Sequence, residues 1–125
     1  MIDVTAGIIE REEKYLIAKR KEGHFKGKWE FPGGTVEEGE TPEECLCREL
    51  REELGIDSIV GDFFGESVYD YGHKRIRLLG YRVTYSSGDF LLNAHEEIRW
   101  VFPSELRGYD FAEADMPFVK KLINF

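Results

Sequence analysis

The chain has no apolar run approaching the roughly 18 residues needed to span a bilayer. Its start, Met1-Ile2-Asp3-Val4-Thr5, lacks the positive segment and long apolar stretch of a secretory leader. It is poor in cysteine, with Cys45 and Cys47 only. Two residues apart on a helix they diverge and cannot bridge, so a disulfide scaffold is excluded and a reduced, cytoplasmic setting is expected. Positive charge is also short: the net charge of −8 argues against wrapping a nucleic acid polymer, though not against a small phosphate ligand. Repeats, low-complexity tracts and proline-rich linkers are missing as well, which predicts one domain over residues 1–125. With 42% hydrophobic residues among 125, such a domain can bury a real core. Monomer and homodimer both remain open.

What is present alternates between strand and helix signals. Val4 to Ile9 and Tyr15 to Ala18 are β-prone runs around Glu10-Arg11-Glu12-Glu13, which reads as a hairpin. Lys19 to Lys28 reads as a basic, glycine-punctuated loop, and Trp29 to Phe31 as a brief strand stopped by Pro32 and Gly33-Gly34. Thr41 to Leu54 is the clearest helix. Thr41 can cap it, Pro42 suits its first position, Glu44 completes a capping box and Gly55 ends it. Ser58 to Tyr69 and Lys74 to Tyr85 predict two long strands, Glu97 to Phe102 another, Ser104 to Leu106 a helical turn and Asp115 to Leu122 a closing helix. Strands mixed with helices in this order predict an α+β fold, a mixed α/β sandwich.

The chemistry concentrates on the central helix. Leu46, Leu50 and Leu54 form its apolar stripe, while Glu49, Glu52 and Glu53 stand at i, i+3 and i+4 on another face. Alone, such acids fit a salt-bridge-laced surface helix, with Arg48 placed to pair with Glu52. They equally supply oxygen ligands for a hard divalent cation. The segment before the helix favours the cation: Gly33-Gly34 lets backbone approach a ligand, and Gly39 permits a tight turn before Glu40.

Gly34, five residues, Glu40, seven residues, and then Arg48-Glu49-Leu50-Arg51-Glu52-Glu53-Leu54-Gly55-Ile56 resembles the Nudix box at every defining position. Beyond the box, Trp29-Glu30-Phe31-Pro32-Gly33-Gly34, Leu16-Ile17-Ala18-Lys19-Arg20 and Phe111-Ala112-Glu113-Ala114-Asp115-Met116-Pro117 resemble segments of MutT-type nucleoside triphosphate pyrophosphohydrolases. The resemblance implies a Nudix fold, a mixed β-sheet between helices. It implies Mg²⁺, or Mn²⁺ in its place, on Glu49, Glu52, Glu53 and the Gly33 carbonyl, with Arg48 orienting the glutamates and Glu40 and Gly34 supporting the box. It further implies release of a monophosphate and diphosphate from a nucleoside triphosphate, as in disposal of oxidised nucleotides such as 8-oxo-dGTP. A cytidine or modified pyrimidine triphosphate pyrophosphohydrolase, or a Nudix hydrolase of ADP-ribose or another nucleoside diphosphate derivative, is the alternative, and a non-catalytic nucleotide-sensing module on the same fold is the reading from another class.

Glu49 is the first candidate for general base, with Glu52 and Glu53 open. Some relatives use a later loop carboxylate instead; Ala94 stands at that place, leaving Glu96 or Glu97 as substitutes. Lys19, Lys26, Lys28 and above all Arg20 could meet phosphate oxygens. His24, His73 and His95 lack metal-ligand spacing and are assigned no role. Phe31, Tyr71 and Phe111 could stack on a base or simply fill the core. Asp115 stands where the MutT type has asparagine. Ionised, it only accepts hydrogen bonds, which suits an exocyclic amine as on cytosine or guanine. Its bland alternative is a cap for the closing helix.

Overall fold

The computed structural model describes residues 1–124. In chain order these form β1 (Ile2–Arg11), β2 (Lys14–Arg20), β3 (Trp29–Glu30), α1 (Pro42–Leu54), β4 (Asp57–Asp70), β5 (Arg75–Ser87), β6 (His95–Val101) and α2 (Met116–Ile123). Short 3-10 turns lie at Pro103–Gly108 and Glu113–Asp115. The first hairpin is tighter than the four-residue turn expected. Glu10 and Arg11 pair with Tyr15 and Lys14, leaving Glu12 and Glu13 to turn the chain at φ 52° and 67°. Positive φ at both positions matches the twist of the flanking strands, which here outweighs the lack of glycine.

The sheet is mixed. β1 runs parallel to β5 from Ile2 to Ile9, and β4 lies antiparallel to β5. β1 meets β2 only at the hairpin, and beyond it the two strands diverge. β2 instead pairs with β6 along its length and with β3 at Ala18 and Lys19. Residues 32–36 fill the vacated edge of β1. Gly7 donates to the Pro32 carbonyl at 2.7 Å, Thr5 to that of Gly34 at 2.8 Å, and Val36 to that of Asp3 at 2.9 Å. The glycine turn is therefore built into the sheet where its two halves separate.

Adjacent residues of the inner strands feed opposite faces, as a period of two requires. Ile8 and Ile17 pack on one side with Phe118 and Leu122 of α2. Ile9 and Leu16 pack on the other with Leu46, Leu50 and Leu54 of α1. The result is the α+β sandwich expected. Each of those three leucines is fully buried, stabilising the α1 contact by about 1.5–3 kcal/mol apiece. The ends of α1 are pinned too. Glu44 donates its amide to Thr41 Oγ1 at 3.1 Å, Thr41 donates to the Glu44 carboxylate at 2.9 Å, and Gly55 is left-handed at φ 69°. With stripe and caps fixed, the rotation of the acidic face is fixed. Among the described residues no helix is long and apolar enough to cross a membrane.

Candidate active site

Arg48 organises the acidic face of α1. Its Nε and Nη2 donate to the two Glu40 oxygens at 2.8 and 2.7 Å, and its Nη1 donates to Glu49 at 2.9 Å and Glu52 at 3.1 Å. Nη2 also reaches the Thr35 carbonyl at 3.2 Å. One guanidinium thus ties the turn before the helix to two of its acids, a geometry that only a planar fork of donors can make. The same bonds hold the Glu40 carboxyl down at about 2.

A Cβ at either glycine would meet a close neighbour. A Cβ on Gly34 would lie 2.2 Å from the Glu49 carboxyl carbon, and one on Gly33 would lie 2.0 Å from the Thr5 carbonyl oxygen. The Gly34 carbonyl is occupied, accepting from the Thr5 amide and from the Thr5 and Cys45 side chains. Cys45 is buried there as a neutral thiol, pushed up to about 11 mainly by burial. No hydrogen bond of the described residues ends on the Gly33 carbonyl.

Glu53 faces the opposite wall. Its Oε1 is 3.6 Å from Arg20, and its Oε2 is buried without a hydrogen-bond partner among the described residues. Burial pushes this carboxyl up to about 7 against the pull of Arg20, with Glu30 and Glu49 raising it further. Arg20 also pairs with Glu30 at 3.1 Å, and Glu30 accepts from His95 at 2.8 Å. Ligand atoms of Glu30, Glu53 and His95 all lie within 4.8 Å of one another. Repelling acids, an unpartnered buried carboxylate oxygen and an unused peptide carbonyl suit a hard divalent cation, so the residues present fit one.

A cavity of about 280 Å³ runs from the glycine turn along the splay in the sheet. Arg20, Glu30, Gly34, Phe31, Tyr71 and Asp115 are among the residues that line it. Asp115 does not cap α2, since its side chain makes no capping bond. It is buried and accepts the Phe31 amide at 3.0 Å through Oδ2. Burial pushes its carboxyl well above the ordinary range, with Glu30 adding to the rise. That rise favours the acid form, which can donate as well as accept. Phe31 and Phe111 are both buried, with ring centres 5.3 Å apart. Tyr71 accepts the Ala114 amide at 2.8 Å and so ties the loop carrying Asp115 to the β4–β5 turn.

Several expected residues are not brought together. Glu96 pairs with Lys19 at 3.3 Å and Glu97 with Arg99 on its own strand, so neither loop carboxylate reaches the acids of α1. Lys28 is engaged by Asp110 at 3.0 Å. Conversely His95, given no role from its spacing, lies against Glu30. Glu30 sits in the resemblance segment but carried no assignment. Their meeting is a cross-strand event without a short-range signal.

The NUDIX domain family matches residues 1–122. Over 121 residues, 96% of this chain and 90% of the relative, the sequence is 38% identical to the CTP pyrophosphohydrolase of Escherichia coli strain K12. It is 34% identical to the 8-oxo-dGTP diphosphatase of Haemophilus influenzae over 126 residues, covering 99% and 93%. The solution structure of the E. coli ORF135 protein superposes with a TM-score of 0.88 at 35% identity, covering 99% of this chain and 89% of that one. The chain belongs to the Nudix family of hydrolases, enzymes that act on small nucleotide substrates with divalent metal ions.

Proposed function

We propose that the protein hydrolyses a nucleoside triphosphate to the monophosphate and diphosphate, using Mg²⁺ or Mn²⁺ held by Glu49, Glu52, Glu53 and the Gly33 carbonyl. The observation that carries this reading is the continuity of one cavity from the glycine turn and Arg20 to Asp115. It offers a phosphate end and a base end in a single space. When bound, such a cation neutralises charge on the phosphates and acidifies water. Arg20, freed from part of its pairing with Glu53, contacts phosphate oxygens at the same end. Arg48 orients Glu49, which takes the proton of the attacking water, and Glu40 holds Arg48 in place. The acids Glu96 and Glu97 have no part in this scheme, being paired with surface cations.

At the other end Phe31 flanks the base and Asp115 reads its edge. An oxidised deoxyguanosine triphosphate such as 8-oxo-dGTP is the first substrate proposed, making the enzyme a sanitiser of the nucleotide pool in the cytoplasm. A cytidine triphosphate is the second reading, favoured by a carboxyl rather than an amide at position 115 and by likeness to a CTP pyrophosphohydrolase. Residues 1–125 are read as one catalytic domain without a membrane or nucleic acid polymer as partner. The test is incubation with Mg²⁺ and a panel of normal, oxidised and methylated nucleoside triphosphates, ADP-ribose and diadenosine polyphosphates. Monophosphate plus diphosphate from one triphosphate is expected. Turnover of ADP-ribose alone, or of nothing, would reject the proposal.

A further inference from the structure

The ladder between β2 and β6 is regular from Tyr15 opposite Val101 to Lys19 opposite Glu97. It then skips a residue, so that Arg20 faces His95 and Glu96 is extra. In a regular register Arg20 would face Glu96, and an acid would enter the site. The bulge turns Glu96 out to Lys19 and brings a histidine in, the kind of re-aiming that bulges perform beside active sites.

His95 is wholly buried, and its Nδ1 has no partner among the described residues. A phenylalanine would fill that space without an orphaned nitrogen, so the imidazole needs a use at its other nitrogen. That use is the 2.8 Å bond from Nε2 to Glu30 Oε2. The same Glu30 oxygen receives Arg20 Nε at 3.1 Å, and Arg20 Nη2 lies 3.6 Å from Glu53 Oε1. Glu53 Oε2 is left buried and unpartnered at the end of this chain. The opposite end is anchored as well. Asn93 donates its amide to the Glu53 carbonyl at 3.0 Å and its side chain to that of Glu52 at 2.7 Å, while Leu91 donates to the Leu54 carbonyl at 2.9 Å. These bonds satisfy carbonyls at the end of α1 that have no partner within the helix. They also fix how far His95 stands from Glu53.

We infer that His95 is a positioning residue of the metal helix. Through Glu30 and Arg20 it holds the Glu53 carboxylate with one oxygen free for the cation. It is distinct from the loop base for which Glu96 and Glu97 were candidates, and touches neither cation nor substrate. The inference rests on the metal reading proposed above.

Mn²⁺ binding to the full chain, followed without nucleotide by the electron paramagnetic resonance of the free ion, separates the two ideas. His95→Phe keeps the volume and removes the bond. It is expected to weaken Mn²⁺ about tenfold or more, as loss of groups that orient metal ligands does. His95→Gln, whose amide can still donate to Glu30, is expected to recover most of that affinity. A folded His95→Phe protein binding Mn²⁺ within about twofold of the parent overturns the inference, as does a His95→Gln protein no better than His95→Phe. If His95→Phe does not fold, Glu30→Gln takes its place: a loss of about tenfold or more supports the relay and unchanged affinity rejects it. Glu53→Gln is the control. Unchanged Mn²⁺ affinity there would sink the metal reading itself, whereas loss there with none at His95 would sink only the positioning role.

Discussion

Two neighbouring glycines do different work, and substitution should separate them. At Gly33 a Cβ meets the backbone of Thr5, which cannot move without disturbing β1. Gly33→Ala is therefore expected to lose about 1–3 kcal/mol of stability in urea titrations, the usual cost of overpacking. At Gly34 the obstacle is the far end of the Glu49 side chain, which can swing aside. Gly34→Ala should melt near the parent temperature while turnover falls by about tenfold or more, because a displaced ligand costs activity rather than fold. Equal thermal losses in both variants would contradict this division. Asp115 makes a second prediction. Its folded carboxyl holds a proton more tightly than the unfolded one, so the stability this group contributes is full below the ordinary carboxyl range and is lost as pH rises through the raised value. An asparagine there can still accept the Phe31 amide and has nothing to ionise. Asp115→Asn is expected to melt close to the parent near pH 4, about where an unperturbed carboxyl titrates, and above it at pH 8. A gap that shrinks with rising pH would show that burial of this carboxyl carries no such penalty. The same variant should alter the preference between guanine and cytosine nucleotides.

Among the elements, the β1–β2 hairpin carries strain that serves no part of the site. Glu12 and Glu13 both hold positive φ, a region that side chains other than asparagine and glycine enter at a cost. The pair Glu12→Asn with Glu13→Gly should stabilise the protein by about 0.5–1 kcal/mol, after allowing for the greater freedom of glycine in the unfolded chain. Nucleotide turnover should not change, since the turn lies outside the cavity. A lower melting temperature in the double variant would mean the turn is held by contacts other than its own dihedrals. By contrast, α1 is locally consistent throughout. Its cap, buried leucines and left-handed glycine agree, and this rigidity lets like charges on its outer face be tolerated.

For the molecule as a whole, the acids gathered between α1 and the splayed strands are a liability without a counter-charge. Glu49 and Glu30 both push Glu53 up, and Arg20 offsets only part of the burial cost. A cation bound to the folded state alone should therefore stabilise it, by about 2.7 kcal/mol at a concentration one hundred times its dissociation constant. Thermal melting is expected to rise with Mg²⁺ or Mn²⁺ at constant ionic strength and to fall back with chelator. Identical curves in Mg²⁺ and Na⁺ would remove the metal from the account. The net charge of −8 is consistent with a small phosphate ligand rather than a polyanion.

What the sequence determined by itself was local. The capping residues and leucine spacing of α1, the strand runs and the fixed interval from Gly34 to Glu53 all depend on neighbours within a few turns of chain. They therefore revealed the helix and its acidic face, and by resemblance the family. Tertiary structure decided whatever depends on two strands meeting. The bulge at Glu96 reversed which side chain entered the site, because a one-residue shift exchanges the faces of a strand. The burial of Asp115 under Phe31, eighty-four residues away, moved its proton affinity. Sequence spacing also failed to show that Glu30 links His95 to Arg20, since each comes from a different strand. Residue type and short-range order set the chemistry available; register and burial chose which groups are free to perform it.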